Sequence, residues 1–173
     1  MGDPPAPGLA LVAAVALEQL VSAYAGAARI QLKWPNDLLL DGAKMAGILL
    51  ERHGDAIVIG FGVNLAHHPE GLDRPATSLA AAGITPPPDP GLFVEDLAGS
   101  FAAWVARWRG EGLAPIRGRW LDRAHPSGTP LVARTADGAE ATGLFAGLDA
   151  EGALLLRTGD GVRTIHAADV FLL

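Results

Sequence analysis

The chain has 173 residues, 50% of them hydrophobic, and a net charge of -6 at pH 7. This length permits one hydrophobic core and a small second domain. The negative charge argues against a general nucleic-acid-binding protein, because phosphate binding requires clustered cations. The sequence contains no cysteine, which excludes disulfides and thiolate metal sites and agrees with a cytoplasmic protein.

Neither a membrane span nor a P-loop is predicted. Residues 8–17 are apolar, but Glu18 and Gln19 interrupt them short of the about 20 apolar residues that a span requires. The first residues lack the basic segment of a secretory signal. The pattern Gly-x-x-x-x-Gly-Lys-Ser/Thr does not occur, so a P-loop nucleotide site is excluded.

The first half of the chain predicts a helix followed by an antiparallel meander. Residues 8–26 carry apolar side chains at helical spacing, and Gly26 is suited to end the helix. Its apolar face is predicted to consist of Leu9, Val12, Ala13, Ala16, Leu20 and Tyr24. Strands are predicted over residues 29–33, 38–40, 44–52 and 56–65, the last of them buried. Two-residue turns are expected at Asp41-Gly42 and Gly54-Asp55.

Helices are predicted for most of the middle of the chain. A short helical segment is expected over residues 77–82. An amphipathic helix is predicted over residues 91–109, with Asp89 or Asp96 as its N-terminal cap. We interpret its apolar side as core packing rather than as a surface for ligand stacking. That side consists of Phe93, Leu97, Phe101, Trp104 and Trp108. A third helix is predicted over residues 114–123. The arginines of this helix are interpreted as a solvent-exposed face; they are Arg117, Arg119 and Arg123. The alternative is that they contact an acidic carrier domain.

The sequence changes character near residue 125. Short strands separated by Asp/Gly turns are predicted over residues 130–134, 140–148, 153–157, 162–166 and 170–173. Their spacing is typical of a small antiparallel barrel of SH3-like size. We therefore predict an α+β protein with two domains. Residues 1–125 form an antiparallel or mixed sheet packed with helices, and residues 126–173 form the barrel.

Lysine and asparagine are rare in this sequence and concentrated in one region. The only lysines are Lys33 and Lys44, the only asparagines are Asn36 and Asn64, and every other Lys/Arg position is arginine. A coding bias explains a general preference for arginine. Against that bias, the exceptions indicate a need for a compact ammonium or a neutral amide at these positions.

The predicted first hairpin brings Asp37 and Lys44 together. The residue pairs expected across its turn are Leu40 with Ala43, Leu39 with Lys44, and Leu38 with Met45. Asp37 shares a face with Leu39, so it lies diagonally from Lys44 at about 7–8 Å between backbones. The two side chains either form an ordinary ion pair, the more common case, or flank a phosphate. In the second case Asp37 holds a magnesium ion and Lys44 contacts an oxygen.

Three segments of this region resemble biotin protein ligases in order and spacing. They are Lys33-Trp34-Pro35-Asn36-Asp37, Lys44-Met45-Ala46-Gly47-Ile48-Leu49 and Gly60-Phe61-Gly62-Val63-Asn64. Thr77-Ser78-Leu79 is similar to a further element of that family, and the similarity extends from about Leu9 to the C-terminus, the barrel included. The resemblance implies the class II synthetase-like biotin/lipoate ligase fold, N-terminally incomplete here.

The resemblance also implies a two-step reaction. Biotin and ATP form biotinyl-5'-AMP and pyrophosphate, and the acyl group then passes to a lysine of a biotin carboxyl carrier domain. Lys44 and Asp37 are the implied catalytic residues. Lys44 bridges the biotin carboxylate and the α-phosphate, and Asp37 is the implied Mg²⁺ ligand. Such a cation is needed because like unit charges 4 Å apart repel by about 4 kcal/mol at an effective dielectric of 20.

Further residues are implied to contact the substrates. Those implied to contact ATP or the adenylate are Asn64, Lys33 and Asn36, the last two as secondary candidates. Those implied to line the biotin pocket are Lys44, Gly47 and Ile48.

The strand register conflicts with one of these assignments. If Gly54-Asp55 is an ideal two-residue turn, Asn64 opposes Met45 and faces away from Lys44. The resemblance then requires a bulge in the last strand or a different turn. The bulge positions considered are Gly60 and Gly62.

Biotin protein ligases carry, before the region seen here, a Gly/Arg-rich loop that wraps biotin and the adenylate, and a Ser/Thr-rich segment. Neither occurs in this sequence. We therefore expect weak or absent ligation by this chain alone, with the loop lost by truncation or supplied by another chain. Two alternatives stay open: a non-catalytic dimerisation or carrier-docking module, and a lipoate or octanoate transferase of the same fold. No nucleic-acid or membrane partner is expected, and a homodimer is left open.

Overall fold

Two antiparallel sheets and three α-helices make up the chain that the computed structural model describes, residues 8–72 and 74–173. The helices are α1 (Gly8–Ala25), α2 (Pro90–Glu111) and α3 (Ala114–Leu121). The first sheet contains, in spatial order, β1 (Ile30–Lys33), β2 (Asp37–Leu40), β3 (Ala43–His53) and β4 (Ala56–Val63). The second sheet contains β5 (Pro130–Arg134), β6 (Glu140–Leu148), β7 (Leu154–Thr158), β8 (Gly161–Ile165) and β9 (Asp169–Leu172). The predicted α+β class is confirmed.

Both predicted hairpin turns of the first sheet are present. β2 turns into β3 at Asp41-Gly42, where the φ angles are 51° and 80°, as a two-residue turn with two left-handed residues requires. His53 pairs with Ala56 across Gly54-Asp55, so β3 and β4 are joined by the second predicted turn.

β4 is more exposed than the sequence predicts. Its residues alternate between exposed and half-buried, so the prediction of a buried strand was wrong. The half-buried face packs towards α2, where the rings of Phe61 and Phe101 meet edge to face at 6.3 Å. The opposite face carries Gly60 and Gly62, and no described element covers it. β4 is also the last strand of its sheet within the described residues.

α1 lies at the centre of the first half of the protein, between the first sheet and the helices α2 and α3. Residues 11–18 are all buried, because the helix is covered on several sides. The single apolar face predicted from the sequence was therefore wrong in part: Leu9 and Leu20 are half-buried, and Tyr24 is 37% exposed. The 18 residues of α1 are long and apolar enough to cross a membrane by composition, but 61% of them are buried inside the protein, as in a core helix.

A buried carboxylate ties α1 to α3. Glu18 is fully buried, and its oxygens accept hydrogen bonds from Arg119 Nη2 at 2.7 Å and from Arg123 Nε at 2.9 Å. Ser22 Oγ also donates to Glu18, at 2.7 Å. The prediction that these two arginines form a solvated face was wrong, because both turn inward to neutralise Glu18.

α2 begins and packs as the sequence predicts. Asp89 caps its first turn, since its Oδ1 accepts hydrogen bonds from the backbone N–H groups of Gly91 at 2.8 Å and Leu92 at 3.1 Å. The aromatic and aliphatic stripe packs into the core, and its most buried members are Phe93, Leu97 and Trp108. The interpretation of this stripe as core packing is confirmed.

Residues 77–82 form turns rather than the predicted helical segment. The backbone N–H groups of Leu79 and Ala80 donate to the carbonyl groups of Asn64 and Leu65. These bonds to the residues just after β4 accompany a single helix-like bond, from the N–H of Ala82 to the carbonyl oxygen of Ser78, and the segment does not extend into a helix. The segment is therefore attached to the first sheet.

The second sheet has the strand order β8-β7-β6-β5-β9 and agrees with the predicted small barrel to within about one residue at each strand end. It contacts the first sheet through the end of β1. Lys33 Nζ donates to the carbonyl oxygen of Val170 at 3.1 Å, and Trp34 Nε1 donates to that of Gly152 at 3.2 Å. Buried side chains of both sheets form one continuous core. The domain boundary near residue 125 therefore stays a prediction, and residues 1–7 lie outside the described chain.

Candidate functional site

A β-bulge on β3 sets the geometry of the candidate site. Leu39 pairs with Lys44, but Leu38 pairs with Ala46, so Met45 is an extra residue on β3. The predicted pairing of Leu38 with Met45 was therefore wrong. The bulge lies immediately after Lys44, where the backbone of β3 leaves β4 and pairs instead with Ala76.

The bulge resolves the conflict over the face on which Asn64 lies. Asp37 pairs with Gly47, and Gly47 pairs with Gly62, so these three residues share one face of the sheet, which is covered at Asp37 and uncovered at Gly62. Because of the extra residue, Lys44 lies on this face as well, and Asn64 follows two residues after Gly62. The turn at Gly54-Asp55 is ideal and β4 contains no register shift. The required irregularity is thus in β3, and neither predicted position on β4 was correct.

Asp37 lies between two ammonium groups. Its Oδ2 is 2.8 Å from Lys33 Nζ, and its Oδ1 is 2.5 Å from Lys44 Nζ. The side chains of Asp37 and Lys33 are 6% and 9% exposed, whereas that of Lys44 is 49% exposed. Lys33 and Asp37 are therefore part of the protein interior, and Lys44 presents its charge to solvent.

The charge state of Asp37 follows from this arrangement. Burial alone raises the pKa of a carboxyl group, but hydrogen bonds and charges from Lys33 and Lys44 outweigh burial and hold the pKa of Asp37 below its usual value of 3.8. Asp37 is therefore an anion at neutral pH. It anchors the Lys44 side chain at the surface of the sheet.

Lys33 supports the site from beneath. Its ammonium contacts Asp37 and the carbonyl oxygen of Val170 on β9, so it joins the barrel to the carboxylate that holds Lys44. The predicted nucleotide contact by Lys33 is untested. In this geometry its donors are directed at protein groups, which is the arrangement of a positioning residue.

A cavity of about 550 Å³ opens beside Lys44. Its floor is the bare backbone of Gly47 and Gly62, which face each other across β3 and β4. A Cβ atom on Gly47 would lie 3.4 Å from Lys44 Nζ, so the lysine side chain lies close over the strand at this glycine. Asn64 lines the same cavity, and its Nδ2 donates to the carbonyl oxygen of Thr77 at 2.9 Å.

Asn36 and Ile48 form a reciprocal pair at the other side of β3. Asn36 Nδ2 donates to the carbonyl oxygen of Ile48 at 2.8 Å, and the N–H of Ile48 donates to the carbonyl oxygen of Asn36 at 2.9 Å. The Ile48 side chain is buried in the core. Both residues border a shallower depression on the uncovered face together with Gly47 and Gly62. Their predicted contacts with nucleotide and biotin remain predictions.

A second cavity, of about 300 Å³, separates Lys44 from the barrel. Asp37 and Lys33 line it on one side, and residues of β9 line it on the other. The described residues contain no group of three His, Asp or Glu side chains that could hold a metal ion. Both oxygens of Asp37 already face ammonium nitrogens, so the residues present do not by themselves build a magnesium site.

Sequence reasoning missed one residue beside Lys44, Arg74. Arg74 lines both cavities, and its guanidinium carbon lies 3.9 Å from the ring centroid of Phe171 on β9. Arg74 falls in an irregular stretch that sequence periodicity does not describe. The one available signal was its position just before Thr77-Ser78-Leu79.

Comparison with protein families finds two matches that together cover most of the chain. Residues 5–122 match the family described as "Biotin/lipoate A/B protein ligase family". Residues 128–173 match the family described as "Biotin protein ligase C terminal domain".

Known proteins similar to this chain include a "Biotin--[acetyl-CoA-carboxylase] ligase" of Paracoccus denitrificans, 44% identical over 94% of this chain and 72% of that ligase. A "Bifunctional ligase/repressor BirA" of Bacillus spizizenii is 35% identical over 96% of this chain but only 53% of its own length. The chain therefore spans about half the length of this BirA protein. The solved apo structure of biotin protein ligase from Aquifex aeolicus matches 97% of this chain and 76% of that one, with a TM-score of 0.87 at 20% identity, which shows a shared fold.

Proposed function

Because this chain belongs to the biotin protein ligase family, we propose that it serves the ATP-dependent attachment of biotin to protein. Its substrates are then biotin and ATP, and its acceptor is a lysine of a biotin carboxyl carrier domain, such as that of acetyl-CoA carboxylase. A solved relative with 20% identity and a TM-score of 0.86 was obtained in complex with biotin and ATP. We further propose a cytoplasmic location, because both the acceptor carboxylase and ATP are available there.

One observation supports this function above the others. Lys44 presents a half-exposed ammonium at the mouth of a cavity whose floor is bare backbone, and buried Asp37 holds it there. A compact cation beside an accessible cavity suits a reaction that brings two anions together.

The proposed first step places the biotin carboxylate and the α-phosphate of ATP on either side of Lys44. A carboxylate oxygen bonds to the α-phosphorus, the bond from that phosphorus to the pyrophosphate oxygen breaks, and the electron pair leaves with pyrophosphate. Lys44 reduces the repulsion between the two anions as they approach. Asp37 keeps Lys44 in place, Asn64 borders the adenylate, and Gly47 with Ile48 borders biotin.

In the proposed second step the amine of the acceptor lysine attacks the acyl carbon of biotinyl-5'-AMP. An amide bond forms, the mixed anhydride bond breaks, AMP departs with the electron pair, and the amine nitrogen releases one proton to solvent. The uncovered face of β3 and β4 leaves the acyl group open to a carrier domain from solvent. The match of the barrel to the C-terminal domain of biotin protein ligases favours biotin over lipoate.

The alternative to the enzymatic function is a non-catalytic module for dimerisation or carrier docking that is built on the same fold. The non-catalytic alternative is tested together with the enzymatic one. Incubation with biotin, ATP and a carrier domain separates them, since an enzyme releases AMP and pyrophosphate and a docking module binds the carrier domain without releasing either. Micromolar binding of biotin by this chain in calorimetry would favour the enzymatic function.

A binding measurement tests the site even when turnover is low. We expect a non-hydrolysable analogue of biotinyl-5'-AMP to bind the chain, and Lys44→Gln to weaken that binding by about tenfold or more. Arg52→Gln is the matched control, because Arg52 is exposed and lies on β3 about 25 Å from Lys44 at about 3.3 Å per residue. Equal affinity of Lys44→Gln and the unmodified chain, or no binding at all, would refute the proposed site.

A further inference from the structure

Backbone hydrogen bonds between neighbouring residues fix the position of Arg74 beside Lys44. The N–H of Lys44 donates to the carbonyl oxygen of Pro75, and the N–H of Thr77 donates to the carbonyl oxygen of Lys44, at 2.9 and 3.0 Å. The backbone next to Arg74 is therefore paired directly with the residue that carries the candidate catalytic cation. From this position Arg74 borders both cavities that flank Lys44.

The Arg74 side chain is held by an aromatic ring rather than by an acid. Its guanidinium lies over the ring of Phe171 at 3.9 Å, within the range of a cation–π contact. None of the ion pairs seen within residues 8–72 and 74–173 involves Arg74. On the same ring, Arg134 lies at 5.0 Å, but that arginine is already paired with Glu140. Arg74 thus keeps its hydrogen-bond donors for another group.

The surroundings of Arg74 are positively charged within an acidic protein. The second cavity is lined by one carboxylate, Asp37, and by three cations, Lys33, Lys44 and Arg74, whereas the whole chain carries a net charge of -6. Lys33 and Lys44 share the charge of Asp37. An excess of positive charge therefore remains at the junction of the first sheet and the barrel, where an anion is favoured.

We propose that Arg74 binds the β- and γ-phosphates of ATP and stabilises the departing pyrophosphate, with Phe171 of the barrel holding its guanidinium in place. This inference rests on the proposed function, which puts the α-phosphate at Lys44. The negative charge that develops when the α-phosphorus–oxygen bond breaks goes to the pyrophosphate, and a guanidinium matches phosphate oxygens with paired donors. The barrel then contributes to the reaction through a contact between one of its rings and one arginine.

Inorganic pyrophosphate is the probe that tests this proposal. Calorimetric titration of the full chain should show binding that Arg74→Gln weakens by about tenfold. Phe171→Leu keeps an apolar side chain but removes the ring face, and it should weaken binding by a smaller factor, about threefold. Arg52→Gln is again the control and should bind as the unmodified chain does.

The biotinyl-5'-AMP analogue separates this proposal from the proposed function, because it lacks the β- and γ-phosphates. Arg74→Gln should leave its binding within about twofold. Binding of the analogue without any binding of pyrophosphate, or equal pyrophosphate affinity of Arg74→Gln and the unmodified chain, overturns the role of Arg74 and leaves the proposed function standing. Pyrophosphate binding that depends on Arg74, in a chain that does not bind the analogue, supports the anion site and contradicts the proposed function.

Discussion

At the scale of single residues, the site consists of one carboxylate shared by two lysines that have different environments. Lys33 and Asp37 are buried, and Lys44 is half-exposed. A buried ion pair is expensive to break, because removal of one partner leaves the other charge in a poorly solvated place. Asp37 therefore has a structural task towards Lys33 and a positioning task towards Lys44.

Replacement of Asp37 should lower the stability of the protein in a way that depends on pH. We expect Asp37→Asn to lower the free energy of unfolding by about 3 kcal/mol at neutral pH, since Lys33 loses its counter-charge. The pKa of Asp37 is lowered from 3.8 in the folded protein, so its contribution is complete above about pH 4 and is lost as the pH falls through the lowered value. Urea denaturation of Asp37→Asn and of the unmodified chain at several pH values measures the difference in their free energies of unfolding.

The difference between Asp37→Asn and the unmodified chain should shrink in acid. Asp55→Asn, at an exposed turn position, serves as the control and should change stability little at any pH. A difference that stays constant down to the lowest pH would mean that folding does not lower the pKa of Asp37.

At the scale of secondary-structure elements, a bulge and a pair of glycines shape the site, and a buried salt bridge holds the helices. The bulge at Met45 turns Lys44 towards Asp37, and Gly47 opposite Gly62 leaves the cavity floor bare. Behind the sheet, Glu18 joins α1 to α3 through two arginines. The bulge and the glycine pair determine which ligands the cavity can bind, and the Glu18 salt bridges stabilise the packing of the helices.

Filling the cavity floor should remove binding without harming the fold. We expect Gly62→Val to abolish measurable binding of the biotinyl-5'-AMP analogue, because the branched side chain stands over the backbone that lines the cavity. Around Gly62 the nearest atom to an added Cβ is the Gly47 carbonyl oxygen at 3.8 Å, and valine favours strands, so the melting temperature should not fall. Calorimetry and thermal unfolding measure the two effects. Unchanged affinity would show that the ligand does not lie on this floor.

Loss of the buried carboxylate should weaken the helical layer. We expect Glu18→Gln to lower the free energy of unfolding by about 2–4 kcal/mol, towards the low end because Arg119 and Arg123 are 30% and 24% exposed and can turn to water. Glu111→Gln removes a carboxylate that pairs with Arg107 on the surface, and it should cost less than about 0.5 kcal/mol. Similar losses in the two variants would contradict a special role for Glu18.

At the scale of the whole molecule, the barrel and the first sheet share a core and a set of polar contacts at the end of β1. His125 lies at this junction, in a small cavity that Trp34 and Val170 also line. Its Nε2 is buried and finds no hydrogen-bond partner among the described residues. Burial, and then the charge of Lys33, lower the pKa of His125 below 6.5. The junction is therefore built for a neutral imidazole.

Stability should depend on pH through His125. The unfolded chain binds a proton near pH 6.5 more readily than the folded chain does, so stability is complete above that pH and falls as the pH drops through 6.5 towards the lowered folded value. We expect His125→Gln to flatten the dependence of the unfolding free energy between pH 7.5 and 5. His166→Gln, at an exposed position, should keep the dependence of the unmodified chain. Equal slopes for His125→Gln and the unmodified chain would exclude His125 as the cause.

Local sequence patterns were sufficient to predict the three α-helices, the strands and both hairpin turns of the first sheet. The strand limits of the barrel, the turn at Asp41-Gly42 and the cap at Asp89 depend on side-chain periodicity and turn chemistry over a few residues. For the same reason the sequence placed Asp37 beside Lys44, since both belong to one hairpin. Family resemblance then identified the class of ligase to which that hairpin belongs.

Contacts between residues far apart in the sequence could not be predicted in this way. Glu18 finds its arginines 101 and 105 residues later, and Lys33 finds Val170 137 residues later. The spacing of residues in a sequence carries no information on such pairs, because they depend on how whole layers pack. The position of the bulge at Met45 is also a tertiary feature: it lies next to Lys44, which pairs with Leu39 on one side and donates its N–H to the carbonyl oxygen of Pro75 on the other.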